Sequence, residues 1–414
     1  MPRDAGDSTM TEYRPLTDDE EATFHEFVTY AFRPQAGPEG MEYDPEEVDE
    51  RGRLGEKRGV FDDGEPLAVC QHYWFETTLR GATVEMPGLS AVASPPEHRR
   101  SGNVRRMLEA SVEEYRDREA PICALWPFDY GFYRQYGWET ANKWTELSCP
   151  PDALSFASEA AAETAERAER GGDEYHWRRL DADDWAAVDS VYRAHTEGVD
   201  LALHRDEDWW RHRRFTGWDD DPFVYGWGSD EELRAYVFYE FDEGRELRVQ
   251  EYGARDHEAF LRCLAFCRDH DSQVETMTFR DEPEPLLFDR TGSPEEVDAT
   301  LRTGPMVRVV DVVDALETVT YPADGSVVLS VDDPLAEWND GRFRLDVTDG
   351  SVTVHRTDAD PDVELDVGAL SQLLVGYAPA ERLTRTTELL ADGETVRTLT
   401  RLFPPTDVAI YDGF

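Results

Sequence analysis

A chain of 414 residues is too long for one hydrophobic core, so two or three domains are expected. Its 40% hydrophobic and 11% aromatic content excludes general disorder. A formal net charge of −48 leaves no extended basic face, which excludes a nucleic-acid partner.

Residues 13–16 read as a first short strand. Thr17-Asp18-Asp19-Glu20 then makes a capping box ahead of an amphipathic helix carrying Phe24, Phe27, Val28 and Phe32. Residues 34–59 are polar and irregular. Apolar runs at 59–61 and 66–74 flank Asp62-Asp63-Gly64-Glu65, a hairpin signal. A strand over 83–86 leads into GLSAVASPPEHRRSGNVRRMLEASVEEY, residues 88–115. The run from Leu89 to Ala93 breaks at Ser94-Pro95-Pro96. Beyond it Val104, Met107, Leu108, Val112 and Tyr115 recur mostly at three- and four-residue steps, one buried helix face. A strand, a glycine-containing turn and a helix N-terminus bring several unpaired backbone N–H groups to one point, where the helix dipole favours an anion. Arg99, Arg100, Arg105 and Arg106 gather there in an otherwise acidic chain, so the stretch suits a phosphate-bearing ligand. It is neither G-x-G-x-x-G nor a Walker loop. Residues 122–126 read as the next strand, and 128–136 begin another helix.

Pro150-Pro151 marks a boundary, and the Ala/Glu-rich residues 152–174 read as a solvated helix and linker. The plan then repeats: a strand at 175–180, a capped helix at 181–195, strands at 222–227, 233–240 and 246–252, and a helix at 259–268. The phosphate loop does not repeat, because Arg255-Asp256-His257-Glu258 follows Gly253-Ala254 without the Arg-x-x-Gly spacing. From Met306 the texture changes again. Strands are expected at 327–331, 341–347 and 351–356, with turns at Asn339-Asp340-Gly341 and Asp349-Gly350. Helices are expected at 365–377, 380–389 and 394–402. Strands followed by helices make a separate α+β domain. The five cysteines form no C-x-x-C pair, which fits a reducing compartment and argues against zinc or a disulfide frame; Cys263 and Cys267 share a helix face and read as core. No apolar run approaches membrane length and the N-terminus has no signal-peptide core, so the protein is expected to be soluble and cytoplasmic, with no membrane partner. Lys57 and Lys143 are its two lysines. Abundant carboxylates with so little lysine match proteins of halophilic archaea, whose acidic coat serves solubility in molar salt.

Arg99-Arg100-Ser101-Gly102-Asn103-Val104 resembles the R/Q-x-x-G-x-G/A loop of the GNAT superfamily of N-acetyltransferases, with Val104 departing from the small final residue. Over nearly its whole length the chain resembles the Eis ("enhanced intracellular survival") family. Trp209-Trp210-Arg211-His212-Arg213, Met306-Val307-Arg308-Val309-Val310-Asp311-Val312, Asp333-Pro334-Leu335-Ala336-Glu337-Trp338-Asn339 and the terminal Asp407-Val408-Ala409-Ile410-Tyr411-Asp412-Gly413-Phe414 carry that resemblance. It implies an α/β plus α+β chain: a catalytic GNAT domain at 1–150, a degenerate second one at 151–300 and a sterol-carrier-protein-like domain at 301–414. It also implies a homohexamer.

Gly131-Phe132-Tyr133-Arg134-Gln135-Tyr136-Gly137-Trp138 resembles the family's catalytic segment, which implies Tyr133 as general acid. The terminal carboxylate of Phe414 is then the general base. The resemblance carries acetyl-CoA contacts to Val92, Ala93 and Ser94, to Arg100, Ser101, Gly102, Asn103, Val104 and Arg105, and to Phe128 and Asp129, with no metal. Tyrosine, with a reference pKa of about 10, stays protonated at neutral pH and can donate to a departing thiolate. A terminal carboxylate is ionised and attracts a cationic amine, although only desolvation makes it a competent base. A tyrosine among Phe132, Tyr136 and Trp138 equally suits packing, and His98 reads as structural or phosphate-facing. The expected reaction is acetyl transfer from acetyl-CoA to a primary amine, a cationic small molecule or a lysine side chain. The alternatives are a hydrophobic-ligand carrier or a CoA-sensing regulatory hexamer with a vestigial acetyltransferase domain.

Overall fold

The computed structural model describes residues 11–36, 50–159, 175–218, 220–281, 285–387 and 389–414. Residues 160–174 of the helix and linker expected at 152–174, and residues 37–49 of the polar stretch at 34–59, lie outside them. The chain divides into two compact units, one of residues 1–141, 200–203 and 305–414, the other of 142–199 and 204–304.

In the first unit β1 (Glu12–Pro15) leads to the Thr17–Glu20 capping box and then to α1 (Glu21–Phe32). Phe24 is buried, whereas Phe32, expected on the apolar face, is 58% exposed at the helix end. β2 (Glu56–Asp62) and β3 (Glu65–Leu79) meet at Asp63-Gly64, both with positive φ as a type I′ hairpin turn requires. A second such turn, Arg80-Gly81, joins β3 to β4 (Ala82–Ala93). The two apolar runs around Pro87 are therefore one strand. The proline is tolerated because β5 (Ile122–Leu125) joins β4 only from Gly88 onward. α2 (Asn103–Asp117) crosses from β4 to β5, and α3 (Tyr130–Arg134) and β6 (Glu139–Thr140) follow.

The sheet order is β1-β2-β3-β4-β5-β14-β6, so β14 (Met306–Val309), from the part of the sequence expected to open the third domain, completes the first sheet. Met306, Val307, Arg308 and Val309 are all buried, as a central strand requires. Arg308 is tolerated there because its guanidinium donates to both oxygens of Asp333, at 2.6 and 2.8 Å, and to the Tyr136 carbonyl at 2.6 Å.

Strand alternation gives this sheet two faces with separate cores. Leu89, Cys123 and Leu125 pack with Met107, Leu108 and Val112 of α2 and with Tyr133 and Trp138. Val84, Met86, Ile122, Ala124, Val307 and Val309 face the other way, into the core of the C-terminal domain. That domain has the sheet β17 (Ser351–Arg356), β16 (Gly341–Thr348), β15 (Gly325–Asp332), β18 (Val363–Asp366) and β19 (Leu390–Ala391), in that order.

The second unit holds the seven-stranded sheet β13 (Asp298–Thr303), β7 (Lys143–Cys149), β12 (Thr276–Asp281), β11 (Glu246–Ala254), β10 (Leu233–Asp242), β9 (Phe223–Gly228) and β8 (His176–Arg179). α4 (Trp185–His195) and α5 (His257–Arg268) flank it, and α5 crosses from β11 to its parallel neighbour β12 as α2 crosses from β4 to β5. Cys263 and Cys267 lie in its core, and all five cysteines are buried free thiols. Back in the C-terminal domain, α6 (Val312–Thr318), α7 (Val367–Leu374), α8 (Ala380–Thr386) and α9 (Gly393–Leu402) complete the fold. The expected helix at 365–377 begins two residues late because 365 and 366 finish β18, with Asp366 then capping α7 through the Ala369 N–H. Among the described residues no helix is long and apolar enough to cross a membrane.

Candidate active site

β4 and β5 run parallel and pair only at Gly88–Ala124 and Leu89–Leu125. Beyond Leu89, β4 continues to Ala93 while β5 stops at Leu125, so the strands part and leave the β5-facing edge of residues 90–93 open. A bulge marks the parting. The β3 register jumps between Val69 and Gln71, and Ala91 takes a left-handed φ of 50°. Val92, Ala93 and Ser94 lie on this stretch. The Ser94 hydroxyl donates to the Leu67 carbonyl at 2.8 Å, fixing the strand end.

The loop that follows is built to leave a helix N-terminus open. Arg100 and Gly102 both have positive φ, 59° and 82°, and Gly102 is the N-cap of α2. Glycine has no side chain to cap with, so the first N–H groups of this 15-residue helix remain available. A Cβ on Gly102 would meet nothing within 4 Å, which is the open approach a phosphate needs. The polar side chains divide the work. Asn103 is buried, donating to the His98 carbonyl at 3.1 Å and accepting from Arg106 at 2.9 Å. Arg99 donates to the Ser94 carbonyl, and Arg105 to Glu109 and the Pro334 carbonyl. Ser101 donates to the Arg99 carbonyl at 3.4 Å, and Val104 packs half-buried against the α2 core. Among the described residues Arg100 has no hydrogen-bond or ionic partner, so its guanidinium is the one free to meet an anion.

Across the gap, Asp129 caps α3 by accepting from the Phe132 N–H at 2.8 Å. The helix is one turn, shorter than the expected 128–136, because Gly137 at φ 86° ends it. Phe128 is 64% exposed, and its ring lies 5.3 Å from those of Phe132 and Tyr133. Tyr133 is buried against Trp138, and burial raises its hydroxyl pKa well above that of an ordinary tyrosine, so it stays protonated.

The chain end docks on the opposite face of the same sheet. The Phe414 ring lies 5.0 Å from Phe75 and 6.2 Å from Tyr73, over Gly88 at the last paired rung before the strands part. Trp126, the residue after β5, donates its indole N–H to the Asp412 carbonyl at 2.8 Å. Ile410 is fully buried. Tyr133 and Phe414 are not in ring or hydrogen-bond contact with each other; each belongs to the core of its own face, and the β4/β5 parting is the opening between those faces. Gly88, Trp126, Tyr73 and Phe75 escaped the sequence reading. Tyr73 and Phe75 carry a period-two signal, but nothing local tells which partner covers them.

Residues 12–141 match the acetyltransferase (GNAT) domain family, and residues 201–309 match a second acetyltransferase (GNAT) family. Residues 312–411 match the sterol carrier protein domain. The chain is 25% identical to the N-acetyltransferase Eis of Mycobacterium tuberculosis over 422 residues, covering 98% of this chain and 99% of that one. The chain is thus an Eis-like N-acetyltransferase built on GNAT domains. It is also 27% identical over 356 residues to an uncharacterized N-acetyltransferase of Streptomyces griseus, covering 80% and 82% of the two chains. Its fold matches the GCN5-related N-acetyltransferase of Anabaena variabilis, with TM-score 0.82 at 19% identity over 98% of this chain and 100% of that one. It also matches Eis1 of Mycobacterium abscessus, with TM-score 0.75 at 21% identity over 98% and 100%. An Eis-like acetyltransferase thus combines tandem GNAT domains with a sterol-carrier-like domain.

In the second GNAT domain the corresponding β11–α5 turn has a different capping chemistry. Asp256 is the N-cap of α5, accepting from the Ala259 N–H at 2.9 Å, and its other oxygen is held by Arg234. The first turn of α5 is thus capped by a carboxylate of the chain itself, where α2 begins uncapped.

Proposed function

We propose that this acetyltransferase takes acetyl-CoA as donor and acetylates a primary amine, either a cationic small molecule or a lysine side chain. The observation that carries this reading is the parting of β4 and β5, with an uncapped helix N-terminus and the unpaired Arg100 beside it, and the terminal residue Phe414 docked on the opposite sheet face. Acetyl-CoA supplies an acyl group activated as a thioester. Residues 102–105 grip its pyrophosphate through backbone N–H groups, with Arg100 adding charge. The open edge of Val92, Ala93 and Ser94 hydrogen-bonds the pantetheine amides, while Phe128 and Asp129 line the far wall. The amine enters from the face where Phe414 docks.

The Phe414 carboxylate draws in the ammonium form and takes its proton. As the amine nitrogen bonds to the acetyl carbon, the C–S bond breaks and Tyr133 donates its phenolic proton to the departing sulfur. Burial of Tyr133 keeps that proton in place until sulfur carries charge. A phenolate left in a dry pocket is costly, so it is reprotonated by the second proton of the acylated nitrogen, leaving a neutral amide, and the proton taken by Phe414 passes to solvent as the products leave.

The test is a free-thiol release assay with acetyl-CoA and a panel of amines in molar KCl. Adding one glycine after Phe414 moves the carboxylate by about 3.5 Å. Turnover should fall roughly 10²–10⁴-fold while acetyl-CoA affinity and the melt hold. Tyr133→Phe should behave alike. Full turnover in the extended chain would remove the carboxylate from the mechanism.

A further inference from the structure

Four residues from the middle of the sequence, Asp200–Leu203, belong to the first unit, beside the hairpin and the tail that form the site. They act as a splint between them. On one side the Leu201 N–H donates to the Thr78 carbonyl at 2.8 Å, Thr77 Oγ1 donates to the Ala202 carbonyl at 2.8 Å, and Thr77 bridges Leu203 antiparallel. On the other side Asp200 bridges Val408 in parallel: its N–H donates to the Asp407 carbonyl at 2.8 Å and its carbonyl accepts from the Ala409 N–H at 3.0 Å.

The Asp200 side chain closes the clasp. It is 5% exposed. Oδ1 accepts the Arg80 N–H at 2.7 Å, in the β3–β4 turn, and Oδ2 accepts the Thr406 hydroxyl at 2.7 Å, on the tail. Arg80 is itself immobilised, its guanidinium donating to the carbonyls of Leu374, Leu373 and Pro404. Thr406, Asp407 and Ala409 therefore all bond to one residue, which is tied to the hairpin whose strands carry Tyr73, Phe75 and Gly88, the bed of Phe414. After α9 ends at Leu402 the tail runs to Phe414 without regular structure, so its register must come from contacts of this kind.

We propose that Asp200 is a positioning residue for acetyl transfer: by locking the tail to the β3–β4 hairpin it sets where the Phe414 carboxylate stands. The proposal rests on the reading of that carboxylate as the base. The carboxylate suits this task because both its partners are donors and each oxygen serves one of them. Asparagine preserves the arrangement, since its amide oxygen still accepts from Arg80 and its amide nitrogen can donate to the Thr406 hydroxyl. Alanine removes both bonds and strands a buried N–H.

The experiment measures release of Phe414 by a carboxypeptidase, followed by intact mass spectrometry, beside steady-state kinetics on the full chain. Trimming of a docked tail reports how often it opens locally. Asp200→Ala should speed trimming roughly 10-fold or more and lower kcat by a similar factor, with KM for acetyl-CoA unchanged. Asp200→Asn should stay within about 3-fold of the parent in both. Thr406→Val removes the tail-side bond, with the hydroxyl's longer 3.3 Å contact to the Val375 carbonyl, and leaves the Arg80 N–H satisfied, so it should show the same signature at smaller size if the alanine variant fails to fold. Trimming at the parent rate in folded Asp200→Ala or Thr406→Val would overturn the proposal. Faster trimming with undiminished kcat would instead overturn the reading of the carboxylate as base, and the positioning role with it.

Discussion

Gly88 sits under the chain end, and replacing it with alanine tests the docking geometry with one methyl group. A Cβ there would stand 2.8 and 2.9 Å from Cε2 and Cδ2 of Phe414, and 2.6 Å from Cε2 of Phe75. Carbon atoms pack comfortably at about 3.5–4.0 Å, so each ring must retreat by roughly 0.7–1 Å. Overpacking of this kind costs about 1–3 kcal/mol, which a chain this size survives. The backbone itself does not resist, because Gly88 lies in the paired part of β4 and not among the positive-φ glycines. The consequence falls on catalysis: a displacement of about 1 Å at a reacting group can cost on the order of 10² in rate. Gly88→Ala should therefore lower kcat by roughly that factor, leaving acetyl-CoA affinity near the parent value because the phosphate loop lies beyond the bulge. Shortening the terminal side chain in the same protein, Gly88→Ala with Phe414→Leu, should recover part of the loss. The assay is thiol release under saturating acetyl-CoA, with isothermal titration as the affinity control. A kcat within about 2-fold of the parent in folded Gly88→Ala would refute the idea that the rate depends on where Phe414 rests.

Gly102→Glu should abolish acetyl-CoA binding in a calorimetric titration, since it adds like charge and a strained αL side chain at the anion site, whereas Arg100→Glu should weaken it less; unchanged affinity in both would remove the loop from the site. The same titration should saturate at one acetyl-CoA per chain, and a stoichiometry of two would contradict a single site at the uncapped α2 turn. Burial lowers the His72 pKa from 6.5 to about 3, so the unfolded chain binds the extra proton between these values and stability should rise with pH across that window, by up to ~1.4 kcal/mol per unit. Melts of His72→Gln from pH 4 to 7 should show a shallower slope, and an unaltered slope would acquit His72. With a net charge of −48, thermal midpoints should climb as KCl goes from millimolar to molar, and a salt-insensitive melt would contradict the halophilic reading.

The loop region was legible because its determinants are local. Ser94-Pro95-Pro96 stops a strand, Gly102 permits a left-handed N-cap, and the apolar spacing from Val104 to Tyr115 carries the helix that follows. The apolar end of the chain was legible as something that docks. Its bed was not, because Tyr73, Phe75 and Gly88 lie more than three hundred residues away and their spacing says only that they share a face. The run from Met306 reads as a buried strand, yet a continuous apolar run carries no register, so nothing in it names the sheet between whose strands it inserts. Asp200 gave no signal: in a chain with 90 acidic residues a single carboxylate cannot be told from the solvating coat until its two donors are seen.

The two GNAT domains act as internal controls for each other. Both have a strand, a turn, a crossover helix and a parallel neighbouring strand, in α2 between β4 and β5 and in α5 between β11 and β12. The turns differ in length, nine residues between β4 and α2 against two between β11 and α5, and in the residue that caps the helix. Gly102, at φ 82°, leaves the α2 N-terminus bare, whereas Asp256, at φ −159°, folds its carboxylate back onto α5 and is neutralised by Arg234. The aspartate stabilises its helix by about 1 kcal/mol, as a good N-cap does. That gain occupies an N–H of the first turn that a bare helix start leaves available. Gly102 forgoes the cap and leaves the dipole unsatisfied. A helix end left unstabilised in this way is what a ligand-binding turn requires, and the α5 turn of the second domain is instead capped by its own carboxylate.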